Sequence, residues 1–127
     1  MNNLPLILII EDDKLLSKMY AEKFKLEGFD VVVAQDGEEG LEYVSEKNPS
    51  FILLDMMLPK FTGQDVLHEL KKRASNNTTP PIIALTNLAQ KEEAQKALKL
   101  GAKEYLVKAM YTPDQVVEKV KFYLDLD

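Results

Sequence analysis

Apolar and polar residues alternate in blocks along the chain. Five short segments are apolar at nearly every position: Leu6–Ile10, Phe29–Ala34, Phe51–Leu54, Ile82–Leu85 and Tyr105–Val107. Strands of a parallel sheet covered by helices on both faces have this continuous apolar character, whereas half-exposed strands alternate. The pattern therefore predicts five strands of one parallel sheet.

A helical spacing of apolar residues, three or four positions apart, follows each predicted strand. The residues that mark the five helices are Leu15, Leu16, Met19, Tyr20 and Phe24, then Leu41 and Val44, then Val66, Leu67 and Leu70, then the range Gln90–Leu100, and finally Val116, Val117, Val120 and Leu124. Gly28 and Gly101 end the first and fourth helices, because glycine readily adopts the conformation that follows a helix. Each strand is thus paired with a following helix.

Two of the predicted helices begin with capping residues. Asp36 and the glycine after it could form a tight hairpin turn, but Glu39 stands three residues after Asp36 in the pattern of a capping box. Thr112 precedes a proline at the first helical position and Gln115 at the third. The sequence therefore predicts helices at both places.

The order of these elements predicts an α/β fold with a doubly wound parallel sheet and helices on both faces. Five strand-helix units are too few for the eightfold barrel, so an open sheet is expected. The 127 residues are expected to form a single domain, 1–127, with no output domain. In open parallel sheets, sites form beyond the carboxyl ends of the strands.

Composition and charge exclude several classes of protein. The formal net charge is −5, and Arg73 is the only arginine among 16 basic residues, so direct nucleic-acid binding is not expected. The absence of cysteine excludes disulfides and thiolate metal sites. No apolar run is long enough to cross a membrane, and the N-terminus lacks the features of a signal peptide. We expect a cytoplasmic protein that contacts neither nucleic acid nor membrane.

Charged and hydroxyl side chains follow four of the five predicted strands. They are Glu11, Asp12 and Asp13 after the first strand, Asp55 after the third, Thr86 after the fourth and Lys108 after the fifth. We expect these side chains to converge, since the carboxyl ends of parallel strands lie at one edge of the sheet. Converging carboxylates repel each other, and a divalent cation such as Mg²⁺ would relieve the repulsion. The sequence therefore predicts a metal site that includes Asp55.

Each of these residues also has an ordinary structural explanation. Asp13 has the type and position of the N-cap of the first helix. Thr86 alone could bond to nearby backbone, and Lys108 alone could lie on the surface. Glu11 and Asp12 could be solvated loop acids. Their joint placement at the ends of different strands is what favours a site.

Four segments carry these residues: ILIIEDD, FILLDMMLPKFTG, IIALTNLA and EYLVK. Together they resemble the successive motifs of response regulator receiver domains, the phosphoacceptor modules of two-component signalling. The resemblance runs over essentially the whole chain, and the motifs are highly specific in combination. It implies a flavodoxin-like fold with strand order 2-1-3-4-5.

The resemblance also implies a role for each site residue. Asp55 would be the phosphorylated residue, beside an acidic pocket of Glu11 and Asp12. These three carboxylates and the backbone carbonyl of Met57 would bind Mg²⁺, or Mn²⁺ in its place. The further roles implied are those of the site lysine for Lys108, the switch hydroxyl for Thr86 and the aromatic switch for Tyr105. A half-buried core aromatic is the alternative interpretation of Tyr105.

By the same resemblance, the phosphoryl group would come from a sensor histidine kinase or a histidine phosphotransfer protein. Its charge would alter the surface of the fourth and fifth units, where a downstream protein, an output domain or a second copy of the chain would bind. Only self-phosphorylation and slow self-dephosphorylation are expected, with no separate substrate. Both a free-standing receiver and one cut from a longer protein fit the sequence.

Three features depart from the family pattern. Ala109 follows Lys108 where the family usually has proline after a cis peptide bond, so either a strained cis bond or another loop path is expected. Asn87 stands where a very small residue is common, which would narrow access to the phosphoryl group. Met57 and Leu88 flank the route of attacking water in this family, and neither side chain can orient water by hydrogen bonding. We therefore predict slow hydrolysis of the phosphoryl group.

An enzyme or cofactor-binding protein of the same fold is the competing interpretation. A flavodoxin-like FMN carrier would need a Ser-, Thr- and Gly-rich phosphate loop after the first strand, where this chain has EDDKLL. A phosphatase with Asp55 as nucleophile would need a second acid or base nearby, and Met56, Met57 and Leu58 cannot serve. The only histidine, His68, lies in the polar stretch HELKKR and is interpreted as a surface residue. The signalling interpretation is favoured.

Overall fold

The computed structural model describes residues 4–74, 79–87 and 91–125. Five parallel strands form one sheet, in the spatial order β2-β1-β3-β4-β5. Their bounds are Leu6–Ile10 for β1, Asp30–Ala34 for β2, Phe51–Asp55 for β3, Ile82–Thr86 for β4 and Glu104–Val107 for β5. The α/β fold, the open parallel sheet and the order 2-1-3-4-5 are therefore confirmed.

Five helices alternate with the strands among the described residues. Their bounds are Lys14–Leu26 for α1, Gly37–Lys47 for α2, Gly63–Arg73 for α3, Lys91–Lys99 for α4 and Pro113–Tyr123 for α5. Apolar residues of α1 and α5 pack on one face of the sheet, and those of α2, α3 and α4 pack on the other. Helices cover both faces, as predicted. Gln90, the predicted start of the fourth helix, lies outside the described residues.

The apolar face of α1 differs from the predicted one. Tyr20 and Phe24 are buried as expected, and Ser17 is buried with them, but Leu15 and Met19 are exposed. The buried residues are three or four positions apart, which turns Leu15 and Met19 toward solvent. Ser17 can be buried because its hydroxyl donates a hydrogen bond to the carbonyl of Lys14, 3.2 Å away within the same helix.

Some element boundaries also move. Phe29 precedes β2, which begins at Asp30, because its N–H donates to the carbonyl of Phe24 and closes the end of α1. Thr86 is the last residue of β4, and Glu104 is the first of β5. Leu124 follows the last residue of α5 and caps it through its backbone N–H.

Hydrogen bonds at the helix starts agree with most of the predicted caps. The carboxylate of Asp36 accepts from the N–H of Glu39 at 2.8 Å, but the Glu39 side chain returns to the N–H of Gln35 and not to that of Asp36. The predicted capping box of α2 is thus wrong in its second bond. Thr112 and Gln115 form both bonds of a capping box at α5. Helices therefore begin where the sequence indicated.

Strand order places β1 and β3 side by side at the centre of the sheet, with Ile10 opposite Leu54. Glu11, which follows β1, and Asp55, the last residue of β3, therefore lie next to each other at the carboxyl edge. No helix among the described residues is both long and apolar enough to cross a membrane.

Candidate functional site

Three buried polar side chains stand at the carboxyl edge of an otherwise apolar sheet. Glu11, Asp55 and Thr86 are only 1%, 2% and 1% exposed, respectively. Glu11 follows β1, Asp55 ends β3 and Thr86 ends β4, so the sheet itself fixes their spacing. Burying a carboxylate without partners is strongly unfavourable. The contacts of Glu11 and Asp55 therefore decide what this edge can do.

Lys108 bridges the two buried carboxylates. Its ammonium nitrogen lies 2.6 Å from Glu11 Oε1 and 3.3 Å from Asp55 Oδ2. Backbone donors take the other oxygens: Asp13 N–H donates to Glu11 Oε2 at 3.1 Å, and Met57 N–H donates to Asp55 Oδ1 at 2.9 Å. Both carboxylates are thus held in fixed orientations by one shared cation and one N–H each.

Burial and mutual contacts shift the ionisation of Glu11 and Lys108 in this cluster. Burial raises the pKa of Glu11 to about 7; the hydrogen bond from Lys108 opposes that rise, and the neighbouring Asp55 adds to it. Burial alone would lower the pKa of Lys108, but its hydrogen bond to Glu11 and the charges of Asp55 and Glu11 outweigh burial and raise it. Contact between these groups thus favours the charged form of Lys108, whereas burial disfavours the charged form of Glu11.

A third carboxylate completes an oxygen-rich cluster. Asp12 is exposed, and its carboxylate, together with those of Glu11 and Asp55, offers oxygen atoms that all lie within 4.8 Å of one another. When all three carboxylates are ionised, they leave two negative charges beyond the one that Lys108 balances. Hard divalent cations such as Mg²⁺ bind to oxygen ligands of this kind. The donor set and its charge thus fit a divalent metal ion.

Thr86 and Tyr105 border a cavity beside this cluster. The cavity has a volume of about 280 Å³, and the residues that line it are Met56, Met57, Thr62, Gln64, Thr86, Glu93 and Tyr105. Tyr105 is half-buried and packs against the apolar layer under α2, α3 and α4. Thr86 at the end of β4 and Tyr105 of β5 therefore border one common space, next to the residues that follow Asp55.

The Lys108-Ala109 segment does not contain the strained cis bond and instead takes another loop path, which was the second of the two expectations. No cis peptide bond occurs in the described residues, and Lys108–Met110 form a 3-10 turn. Lys108 reaches both acids from the start of this turn. Asn87 is exposed directly after β4. Leu88, predicted to flank the route of attacking water, lies outside the described residues.

The remaining acidic and basic candidates have structural roles. Asp13 is the N-cap of α1, since its carboxylate accepts from the N–H of Leu16 at 3.0 Å. His68 is exposed on α3, away from the carboxyl edge of the sheet. Both agree with the ordinary interpretations of these residues.

Sequence reasoning missed three contributors to the site. Gln64 and Glu93 line the cavity, and no pattern around them indicated this. Gly63 brings the start of α3 against the site: a Cβ there would lie 2.6 Å from the carbonyl oxygen of Asp55 and 2.6 Å from the Cα of Met56. A capping box of Thr62 and Asp65 starts the same helix. The segment TGQD has the pattern of this capping box, since its aspartate stands at the third helical position, and could have predicted the start of the helix.

Known proteins resemble this chain over most of its length. The family model of the response regulator receiver domain matches residues 7–121. A probable transcriptional regulator ycf27 of Porphyridium aerugineum is 33% identical over 118 residues, which are 93% of this chain and 47% of that protein. The chain spans only 44% to 48% of the length of such curated relatives.

Solved structures show the same fold. The receiver domain of the Francisella response regulator 1452 has a TM-score of 0.84 and 32% identity, with 93% of this chain and 94% of that chain covered. A CheY-like response regulator receiver domain protein of Methanospirillum hungatei JF-1 has a TM-score of 0.87 and 29% identity, with 97% and 95% covered. The similarity extends over nearly the whole of each chain.

Proposed function

This chain belongs to the response regulator receiver domain family, and on that premise we propose that it accepts a phosphoryl group on Asp55. The donor would be a phosphohistidine of a sensor histidine kinase or of a histidine phosphotransfer protein. The observation that carries the proposal is a buried aspartate that ends the central strand β3 and is held by Lys108 beside two further acids. A carboxylate so placed is oriented for nucleophilic attack.

The transfer replaces one bond to phosphorus with another. A carboxylate oxygen of Asp55 forms the new P–O bond, while the P–N bond to the donor histidine breaks and its electron pair stays on the imidazole nitrogen. The N–H of Met57 and the ammonium of Lys108 hold the carboxylate in place before attack. Lys108 is also positioned to neutralise a phosphoryl oxygen, since it is the only cation bonded to Asp55 among the described residues.

A metal ion fits this site by its donor set. Glu11, Asp12, Asp55 and the backbone carbonyl of Met57 are the groups proposed to hold Mg²⁺, or Mn²⁺ in its place. When bound, the cation supplies positive charge to the phosphoryl oxygens in the transition state. Without it, the carboxylates would repel the incoming phosphoryl group.

A switch is proposed to follow phosphorylation. New oxygens on Asp55 would attract the hydroxyl of Thr86, and Tyr105 would turn within the cavity that the two side chains share. The movement would change the surface formed by α4, β5 and α5, where a downstream protein, an output domain or a second copy of the chain would bind. Relatives such as ycf27, twice the length of this chain, are named transcriptional regulators. An output domain is therefore a partner to test.

The cellular location of the protein and the extent of its catalytic activity are proposed as well. We place the protein in the cytoplasm, where it would exchange phosphoryl groups with its partners. Its chemistry would be limited to self-phosphorylation and slow self-dephosphorylation of Asp55, without turnover of a separate substrate. Met57 has no polar side-chain group to direct water at the phosphoryl group, which supports the slow second step.

Intact mass spectrometry tests the proposal. The protein is incubated with Mg²⁺ and acetyl phosphate, and the matched Asp55→Asn variant is treated identically. A phosphoryl adduct on the parent alone, lost when the metal is chelated beforehand, is the expected result. A folded parent that binds Mg²⁺ but carries no adduct contradicts the proposal.

A further inference from the structure

Two neighbouring methionines stand in opposite environments at the phosphorylation site. Met57 is 51% exposed, whereas Met56 is 6% exposed and belongs to the apolar layer beneath α3. The backbone N–H of Met57 donates to Asp55 Oδ1 at 2.9 Å, so this residue is anchored to the reacting carboxylate. Its side chain also lines the cavity that it shares with Thr86 and Tyr105. An oxidisable sulfur therefore lies at the mouth of the site.

We propose that Met57 is a modification site, where oxidation by a peroxide such as hydrogen peroxide shortens the lifetime of the phosphoryl group. The thioether sulfur attacks one peroxide oxygen, so an S–O bond forms and the O–O bond breaks. Sulfur loses two electrons to become a sulfoxide, and the peroxide is reduced to water. Methionine sulfoxide reductases reduce the sulfoxide back to methionine, so the oxidation is reversible and can serve regulation.

The effect on lifetime follows from hydrogen bonding. A thioether is a weak acceptor, whereas a sulfoxide oxygen is polar and accepts hydrogen bonds well. Hydrolysis of an acyl phosphate requires water to approach phosphorus in a defined direction. A sulfoxide at position 57 would hold such a water beside Asp55, which the native side chain cannot do. This step rests on the proposed phosphorylation of Asp55.

The other methionines in the described residues do not combine these features. Met19 is 45% exposed on the outer face of α1, and Met110 is 70% exposed in the turn after Lys108. Neither lines the cavity beside Asp55. Met56 does line it, but its low exposure protects the sulfur from solution oxidants. Met57 alone among them is both accessible and adjacent to the reacting carboxylate.

The first experiment maps oxidation without metal or phosphodonor. The protein is treated briefly with hydrogen peroxide, and each methionine is followed by peptide mass spectrometry. Met57 is expected to oxidise at a rate similar to those of Met19 and Met110, and at least about tenfold faster than Met56, because susceptibility follows exposure. Protection of Met57 to the level of Met56 would overturn the proposal.

The second experiment measures phosphoryl lifetime by intact mass after acetyl phosphate is removed. Peroxide treatment is expected to shorten the phosphoryl lifetime about tenfold in the parent and in Met110→Leu. This increase in the rate of hydrolysis is smaller than the increase that a full general base gives. The lifetime of Met57→Leu is expected to be the same before and after peroxide. An equal response of Met57→Leu and the parent would overturn the proposal.

A third variant separates this inference from the proposed function. Met57→Gln carries an amide oxygen near the position of the sulfoxide oxygen, so its untreated lifetime is expected to approach that of the oxidised parent. If the untreated parent accepts no phosphoryl group, the proposed function fails. If it accepts one and neither oxidation nor Met57→Gln changes the lifetime, only the present inference fails.

Discussion

Lys108 is the residue on which the site depends, because its ammonium nitrogen contacts both Glu11, at 2.6 Å, and Asp55, at 3.3 Å. The sequence indicated that acids and a lysine would meet at one edge. It could not show that a single lysine bridges two carboxylates, since Glu11 and Lys108 are 97 positions apart and their contact depends on strand order. The spacing of residues within a segment does not show which side chains from distant strands contact each other across the sheet.

Removal of this cation should destabilise the fold. Lys108→Met leaves two buried carboxylates unpaired, and loss of one partner of a buried pair typically costs about 3 kcal/mol or more. Lys119→Met is the matched control, since Lys119 pairs with Glu104 at 3.0 Å on a more exposed surface and should cost less than about 1 kcal/mol. Urea denaturation measures the free energy of unfolding of both variants and of the parent. Equal losses would contradict the bridging role of Lys108.

Magnesium should stabilise the protein through the acidic cluster. At a concentration of about 100 times its Kd, a ligand that binds only the folded state adds about 2.7 kcal/mol to the free energy of unfolding. Asp12→Asn removes one of the three carboxylates, so most of this gain should disappear. Asp13→Asn should keep it, because Asn also caps helices well. Thermal denaturation with and without Mg²⁺ compares the three proteins, and equal gains would exclude Asp12 as a ligand.

The apolar side chain of Met57 should set a slow rate of dephosphorylation. Met57→Asn places an amide beside Asp55, where it can orient water, and should speed phosphate loss about tenfold, less than a full general base contributes. Met19→Asn, a similar change on the outer face of α1, should leave the rate unaltered. The rate of phosphate loss is measured for both variants by following intact mass over time. A Met57→Asn variant that loses phosphate no faster than the parent would exclude this explanation.

Helix α3 is positioned by the close approach of Gly63 to β3. A Cβ on Gly63 would meet backbone atoms of Asp55 and Met56 at 2.6 Å, so Gly63→Ala should cost about 2 kcal/mol and displace the cavity wall. Gly28→Ala is the matched control: Gly28 has a positive φ of 93° and open space around it, so an alanine there strains only the backbone conformation, at a cost of about 1 kcal/mol. Chemical denaturation compares them. A Gly63→Ala variant as stable as the parent would show that α3 can shift freely.

Elements were more predictable than the faces they bury. All five strands were identified from apolar runs, which are clearest in β1, β3 and β4, because burial on both faces keeps these central strands apolar up to their carboxyl ends. The face of α1 was less predictable, since Leu15 and Met19 are apolar yet exposed, and Ser17 is polar yet buried. The orientation of a helix is decided by packing against the sheet, which its own spacing does not determine.

Across the whole molecule, we predict that the effect of phosphorylation is transmitted from Asp55 to α4. Hydrogen exchange of the Lys91–Lys99 amides should change when the protein is treated with acetyl phosphate and Mg²⁺, while exchange in α1 stays the same. Thr86→Ala should still accept the phosphoryl group but lose the change in α4, because it lacks the hydroxyl that the phosphoryl oxygens attract. An unaltered α4 response in Thr86→Ala would contradict the proposed switch.

Chemical trapping of the acyl phosphate identifies the phosphorylated residue itself. Borohydride reduces a phosphorylated aspartate to homoserine, so peptide sequencing by mass spectrometry identifies the modified position. After treatment with acetyl phosphate and Mg²⁺, homoserine at position 55 is the predicted result. Homoserine at position 12 instead, or reduction at no acidic residue of a protein that is folded and binds Mg²⁺, would contradict the account.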